Sequence, residues 1–349
     1  MIAFLVKRLM HAVLVMFVIS LLAFAIQDNL GDPVQQMVGQ SVAESEREEI
    51  RERLGLNDPF LVQYTRFAKN ALQGDFGYSY FYREPALDVI ARHLPATLEL
   101  VFASTLIIVL FSVPIGVYSA IKPRSPISRF FMGISIIGIS IPVFLTAIVL
   151  IQIFAIGISV TIFPESTGWG AWLNATLSTH GGMPSFGRGN DLVNVFGDWD
   201  TNLASWGGVQ HLVLPAISLA SIMLPLFIRL IRAEMMEVLQ SDYVKYARAK
   251  GISMRRVYFV HALKNTMLPV ITVGGVQIGT MVAYTILTET VFQWPGMGLM
   301  FLDAINRADI PLIITYLMIV GVIFVITNTL VDLIYGLVNP TVKLTGKPA

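Results

Sequence analysis

No cysteine occurs among the 349 residues. Disulfides, thiolate nucleophiles, iron–sulfur clusters and Cys-based zinc sites are excluded together. Charge is nearly as scarce. Asp, Glu, Lys and Arg make up 13% of the chain and hydrophobic residues 55%, where a soluble domain carries about 25% charged residues. A formal net charge of +1 says nothing about nucleic acid, but no basic domain exists beyond one loop, so no nucleic-acid partner is expected. The five histidines are scattered and none stands in HExxH, which removes that zinc-hydrolase pattern. No GxxxxGK[ST] loop is present, and the nearest approach, Gly346-Lys347, lacks the upstream glycine. Any ATP that drives this chain is therefore bound by another.

Apolar sequence is what the chain has in quantity, with a mean hydropathy of +0.68. Runs near 9–26, 96–121, 130–156, 211–231, 268–292 and 312–338 each approach or exceed the ~20 residues that cross a bilayer as a helix. The expected fold is an all-α membrane protein, a six-helix transmembrane bundle in the lipid bilayer. Lys7 and Arg8 precede the first run, and Ala23-Phe24-Ala25 imitates a signal-peptidase site. The run is longer than the 7–15 residues of a signal-peptide core, so residues 1–27 are read as an uncleaved first span.

Residues 28–95 are polar and read as an extracytoplasmic cap of two or three helices, including a stretch at 44–54 rich in both charge signs. Pro95 suits a first helical turn, and Glu99 just after it either complements the helix dipole or touches substrate. Pro142 predicts a kink inside the third span, open to a hinge, a pore-lining or a packing role. The stretch 157–210 holds one basic residue, Arg188, and reads as a long outer loop. Its Trp169, Trp172, Trp199 and Trp206 are interfacial anchors or aromatics facing a passing solute. Gly274, Gly275 and Gly279 give the fifth span a small-residue stripe for close helix contact. Asp332, late in the sixth span, is a functional candidate by default or a structural polar contact.

Orientation follows from Lys and Arg in the short loops. With the N-terminus inside, the inner segments hold fifteen and the two shorter outer loops two, Arg188 and Arg307. Both termini and the loop 232–267 then lie in the cytoplasm.

The stretch 229–269, RLIRAEMMEVLQSDYVKYARAKGISMRRVYFVHALKNTMLP, organises the rest. It holds eight of the 24 basic residues. Asp242 is placed as an N-cap, residues 243–250 as two helical turns, and Gly251 at the position of a left-handed C-cap. Ser253 can cap a second helix toward Asn265, with Pro269 opening the next apolar segment. A solvated basic loop is the simple reading. However, Tyr243, Val244, Tyr246, Ala247 and Ala249 give the short helix an apolar, small-residue face suited to docking.

The run Tyr246-Ala247-Arg248-Ala249-Lys250-Gly251, with His261-Ala262-Leu263 and Leu268-Pro269 after it, resembles the cytoplasmic EAA loop of binding-protein-dependent ABC importer permeases. ARAKG followed by HALKNTMLPVI is similar to the dipeptide/oligopeptide/nickel branch, with Lys245 and Tyr246 where Glu and Ala are usual. Gly31-Asp32-Pro33, Leu54-Gly55-Leu56-Asn57-Asp58-Pro59, Gln63-Tyr64, Gly74-Asp75-Phe76-Gly77-Tyr78-Ser79, the turn 292–298 and the tail 339–343 extend the resemblance over nearly the whole chain. It implies a permease core over 96–349 with no catalytic, cofactor or metal site of its own. It further implies a second homologous permease subunit, two cytoplasmic ABC ATPase subunits carrying ATP and Mg, and an extracytoplasmic solute-binding protein. Tyr243, Tyr246, Ala247, Ala249 and Gly251 become the implied ATPase-coupling interface, and peptides or related small solutes the implied cargo. Two other classes compete. An ion-coupled secondary transporter needs exchangeable intramembrane carboxylates, for which Glu99, Glu289 and Asp332 are the only candidates. An intramembrane hydrolase needs His or Ser constellations at depth, whereas His11, His211 and His261 fall near span ends.

Overall fold

The computed structural model describes residues 2–26, 34, 38, 43–158, 179–197 and 199–338. Gly31-Asp32-Pro33, Trp169, Trp172, the tail 339–343 and Gly346-Lys347 lie outside the described residues. The architecture is helical: α1 Ile2–Ile26, α2 Glu44–Leu54, α3 Phe60–Ala71, α4 Ala86–Ile121, α5 Pro126–Ser140, α6 Val143–Leu150, α7 Trp206–Gln240, α8 Asp242–Ala249, α9 Met254–Phe292, α10 Met297–Asn306 and α11 Ile310–Val338. Four of these, α4, α7, α9 and α11, are long and apolar enough to cross a membrane, and α5 with α6, the latter continued by a π-helical segment Ile151–Ile156, qualifies if counted as one broken span. α1 contributes a shorter apolar helix over Met10–Ala25.

The distribution of polarity shows the solvent the fold is built for. Ser104, Ser112, Ser119, Ser128, Ser135, Ser218, Thr266, Thr285 and Thr288 are buried, while Phe102, Leu106, Leu110, Phe130, Ile137, Phe144 and Ile148 are exposed. Hydroxyls turn back to their own helix, as in Ser104 Oγ donating to the Leu100 carbonyl at 2.7 Å and Ser135 Oγ to Phe131 at 2.7 Å. Small polar residues inside and large apolar ones outside is the arrangement that hydrocarbon demands.

α4 and α7 form the centre, with Leu100, Leu212, Leu219 and Ile231 in the core they share with Met281 of α9 and Leu312 of α11. The expected glycine stripe is used in part. A Cβ on Gly275 or Gly279 would overlap Val331 or Phe324, so these two set the close crossing of α9 and α11. Gly274, where an added Cβ would meet only Phe227 at 3.7 Å, lines with Gly275 a mostly apolar cavity of about 220 Å³ among α4, α7, α9 and α11.

Four local expectations need correction. Pro142 does not kink a continuous helix: α5 ends at Ser140, α6 begins at Val143, and the two meet at 112°. Pro142 has φ −60° and ψ 143°, the extended state that a residue outside a helix adopts. Pro95 is not in a first turn, because α4 begins at Ala86 and runs through both Pro95 and Pro114. Pro269 likewise sits inside α9 rather than opening it, since tertiary packing outweighs the single hydrogen bond each proline removes. The stretch 157–210 is not all loop. Among its described residues β1 Gly157–Ile158 pairs with β2 Thr179–His180, and β3 Val193–Phe196 with β4 Trp199–Thr201, both antiparallel.

Candidate coupling site

α8 follows α7 after the single residue Ser241, which is extended at φ −66° and ψ 153°. Asp242 is therefore the first helical residue rather than the N-cap. It accepts a hydrogen bond from Lys245 Nζ at 2.9 Å, and that bond, with the ammonium charge, holds its carboxyl below the ordinary value. A carboxylate in a first turn also faces the favourable end of the dipole.

The corner after α8 is a complete Schellman turn. Gly251 N–H donates to the Arg248 carbonyl at 2.9 Å and Ile252 N–H to Ala247 at 3.3 Å, with Gly251 at φ +73°. Ile252 closes the motif by packing on Val244, Ala247 and Val257, beneath Val238 and Leu239 of α7. α8 thus sits on a small apolar cluster of its own chain, wedged between the end of α7 and the start of α9. A π-helical turn over Val257–Ala262 lies in this part of α9.

The proposed face divides in two. Val244 and Ala247 are spent on this cluster, and Ala247 is only 7% exposed. Tyr243, Tyr246 and Ala249, three residues apart in succession, share the opposite, exposed side. Tyr246 is 62% exposed, with Lys250 Nζ 4.7 Å from its ring centroid. Tyr243 Oη accepts a hydrogen bond from Asn265 Nδ2 of α9 at 2.8 Å. The structure brings Tyr243, Tyr246 and Ala249 together on one surface, orients them through Gly251, and assigns Ala247 to the support beneath.

At the other end of the bundle the ionisable residues are locked. Glu99 is not at a helix start; it lies 4% exposed within α4 and pairs with Arg188 of the 157–210 stretch at 2.8 Å. Arg188 also donates to Asn202 Oδ1 at 2.5 Å and to the Asp200 carbonyl at 2.7 Å. Asn202 N–H meets the same Glu99 oxygen at 3.2 Å. This network fastens the β3–β4 hairpin to α4. Glu289, fully buried near the end of α9, accepts from Gly298 N–H at 2.7 Å, Leu299 N–H at 2.9 Å and Thr97 Oγ1 at 2.7 Å. Thr97 in turn accepts from Met297 N–H at 2.8 Å, so the first three donors of α10 are satisfied from α4 and α9. A Cβ on Gly296 or Gly298 would strike Glu289, which explains the glycines of the Trp294-Pro295-Gly296-Met297-Gly298 turn. Back at the α8 end of the bundle, Asp332 pairs with Arg8 and ties α11 to α1. Outside the bundle, burial first and the Asp309 charge second push the Tyr80 hydroxyl up to about 12. Sequence reasoning missed the roles of Arg188, Thr97 and Glu289; the glycine-rich turn after Glu289 was the one signal available.

A helical protein of several membrane spans, apolar outside, with Glu99 and Glu289 locked at one end and a short helix presented from the connection between two long apolar helices at the other, defines a polytopic transporter-like component. Comparison with known proteins makes this specific. Residues 112–344 match the family described as binding-protein-dependent transport system inner membrane component, and residues 1–101 match its N-terminal domain. The chain belongs to this family. It is 37% identical to the di/tripeptide transport system permease protein DppB of Pseudomonas aeruginosa, over 98% of this chain and 99% of that one. The dipeptide permease DppB of Escherichia coli K12 is 35% identical, over 98% and 99%. The oligopeptide permease AppB of Bacillus subtilis is 33% identical, over 98% and 100%. The chain is a multi-pass permease of a non-enzymatic transporter family.

Proposed function

We propose that this permease is one membrane-spanning subunit of an ATP-driven ABC importer of peptides. It pairs with a second homologous permease subunit, two cytoplasmic ATPase subunits that carry ATP and Mg, and an extracytoplasmic solute-binding protein. Both termini face the cytoplasm. The observation that carries the coupling role is the exposed set Tyr243, Tyr246 and Ala249, held by the Gly251 corner on a cluster shared with α7 and α9. Movement of an ATPase against that face is delivered directly to two long helices. The peptide cargo is supported by three relatives whose names specify di-, tri- or oligopeptides.

The ion-coupled alternative needs an intramembrane carboxylate free to exchange ions. Glu99, Glu289 and Asp332 are instead held by Arg188, by the α10 amides and by Arg8. The test is uptake of a labelled dipeptide by vesicles containing the assembled complex. Uptake requiring internal ATP and insensitive to collapse of ion gradients is expected. Uptake by this chain alone, driven by a proton or sodium gradient, would overturn the proposal.

A further inference from the structure

α3 belongs to the polar segment between the first two apolar runs, yet it does not stand clear of them. Tyr64 Oη is 2.9 Å from Ser20 Oγ of α1, and the Tyr64 ring meets Phe17 edge-on at 6.2 Å between centroids. Phe24 packs on Phe67 at 5.0 Å and on Tyr64 at 5.6 Å. Phe17 is nine residues before the end of α1 at Ile26, about 13 Å down the helix at 1.5 Å per residue. α3 therefore lies against the outer half of the first span rather than above it.

Its sides are differentiated at helical spacing. Phe60, Tyr64, Phe67 and Ala71 form one sector, of which Tyr64 and Phe67 pack on Phe24. The flank beside that sector, residues 61, 65, 68 and 72, carries Leu61 at 70% exposure and Leu72, just past the helix end, at 90%. The far side carries Arg66, Lys69 and Asn70, also exposed. α1, on which α3 packs, itself exposes Phe17, Val18 and Leu22. Beside α3 a cavity of about 200 Å³ is lined by Phe24, Phe67 and Ile310 together with Arg66, Asn70 and Asp75, a mixture suited to the boundary between acyl chain and headgroup.

We propose that α3 is an interfacial helix of the outer leaflet, with Leu61 and Leu72 in the acyl region and Lys69, beside the Arg66–Asp58 ion pair, at the level of the lipid phosphates. An amphipathic helix with an apolar flank and cations opposite is the form that binds a lipid surface, and long cationic side chains reach the headgroups. The first extracytoplasmic segment is then partly a membrane-bound element that braces α1 through Tyr64 and Phe24. This inference rests on the reading of α1 as a spanning helix whose outer end is Ile26.

The absence of cysteine makes the test direct. Phe17→Cys, Leu61→Cys, Lys69→Cys and Leu72→Cys, each in the assembled complex with wild-type uptake, are labelled with an environment-sensitive fluorophore in phosphatidylethanolamine/phosphatidylglycerol vesicles. Lipids carrying a shallow acyl-chain quencher should quench positions 17, 61 and 72 severalfold more than position 69, which an aqueous quencher should reach instead. Quenching at 17 without quenching at 61 and 72 overturns the inference alone. Failure at 17 as well overturns the reading of α1. Shielding of 61 and 72 from both quenchers places a protein partner on the flank and also overturns the inference.

Discussion

Replacing Gly251 with valine isolates the corner from everything around it. A Cβ built on Gly251 meets nothing within 4 Å, so no side chain is displaced, but the residue sits at φ +73°. The entire cost is therefore conformational. A β-branched residue in the left-handed region costs on the order of 1–3 kcal/mol, and each ~1.4 kcal/mol shifts a population tenfold. That strain is too small to unfold the bundle, whose core lies in α4, α7, α9 and α11. It is sufficient to break the Gly251–Arg248 and Ile252–Ala247 bonds and release α8 from the Val244, Ala247 and Val257 cluster. Gly251→Val should insert at wild-type levels and lose about tenfold or more of ATP-dependent peptide uptake, with the ATPase subunits bound weakly or hydrolysing without transport. Gly251→Asn should be nearly silent, because asparagine tolerates the left-handed region. The assay is uptake and co-purification of the ATPase subunits, normalised to inserted permease. Normal transport by the valine variant at normal insertion would refute the reasoning, and equal losses in the asparagine variant would show that conformation is not the cause.

Further variants separate the layers of the same account. Ala249→Glu places a charge on the exposed side of α8 and should abolish coupling without exposing the loop to protease. Ala247→Glu buries an unpaired carboxylate at a cost above the ~1–3 kcal/mol of a neutral group, so proteolysis within 241–253 should accelerate. Glu99→Gln leaves Arg188 buried without its counter-charge and should cost about 3–5 kcal/mol. Combining it with Arg188→Leu should recover part of that loss in thermal unfolding of the purified complex. Glu289→Ala removes the acceptor for the Gly298 and Leu299 amides and should cost about 1–2 kcal/mol, read as faster hydrogen exchange at the start of α10.

Local and compositional features were legible in the sequence, and long-range pairings were not. The corner at Gly251 was readable because a C-terminal glycine answers a backbone requirement carried within six residues. The membrane class was readable because apolar runs state their solvent directly. The division of α8 was not readable: periodicity makes Tyr243 and Ala247 neighbours one turn apart, and the five residues read as one face. Only the packing of Val257 and Val238, from neighbouring helices, decides which side faces inward. Glu99 with Arg188 and Thr97 with Glu289 join positions 89 and 192 residues apart, and nothing local distinguishes them from exposed polar residues. The broken α5/α6 pair and the uninterrupted α9 show the same limit for proline. Pro142 and Pro269 both stand in apolar runs, and the surrounding helices determine which one ends a helix.

The coupling role of α8 is tested most directly by proximity in the assembled complex. Single cysteines at Val244, Tyr246 and Ala249 of this cysteine-free chain are treated with a short thiol–amine crosslinker, with and without ATP. Tyr246→Cys and Ala249→Cys should join the ATPase subunit in a yield that changes with nucleotide, while Val244→Cys, fully buried against α7 and α9, should not. Crosslinks absent at 246 and 249, in a complex that still imports peptide, would contradict the account.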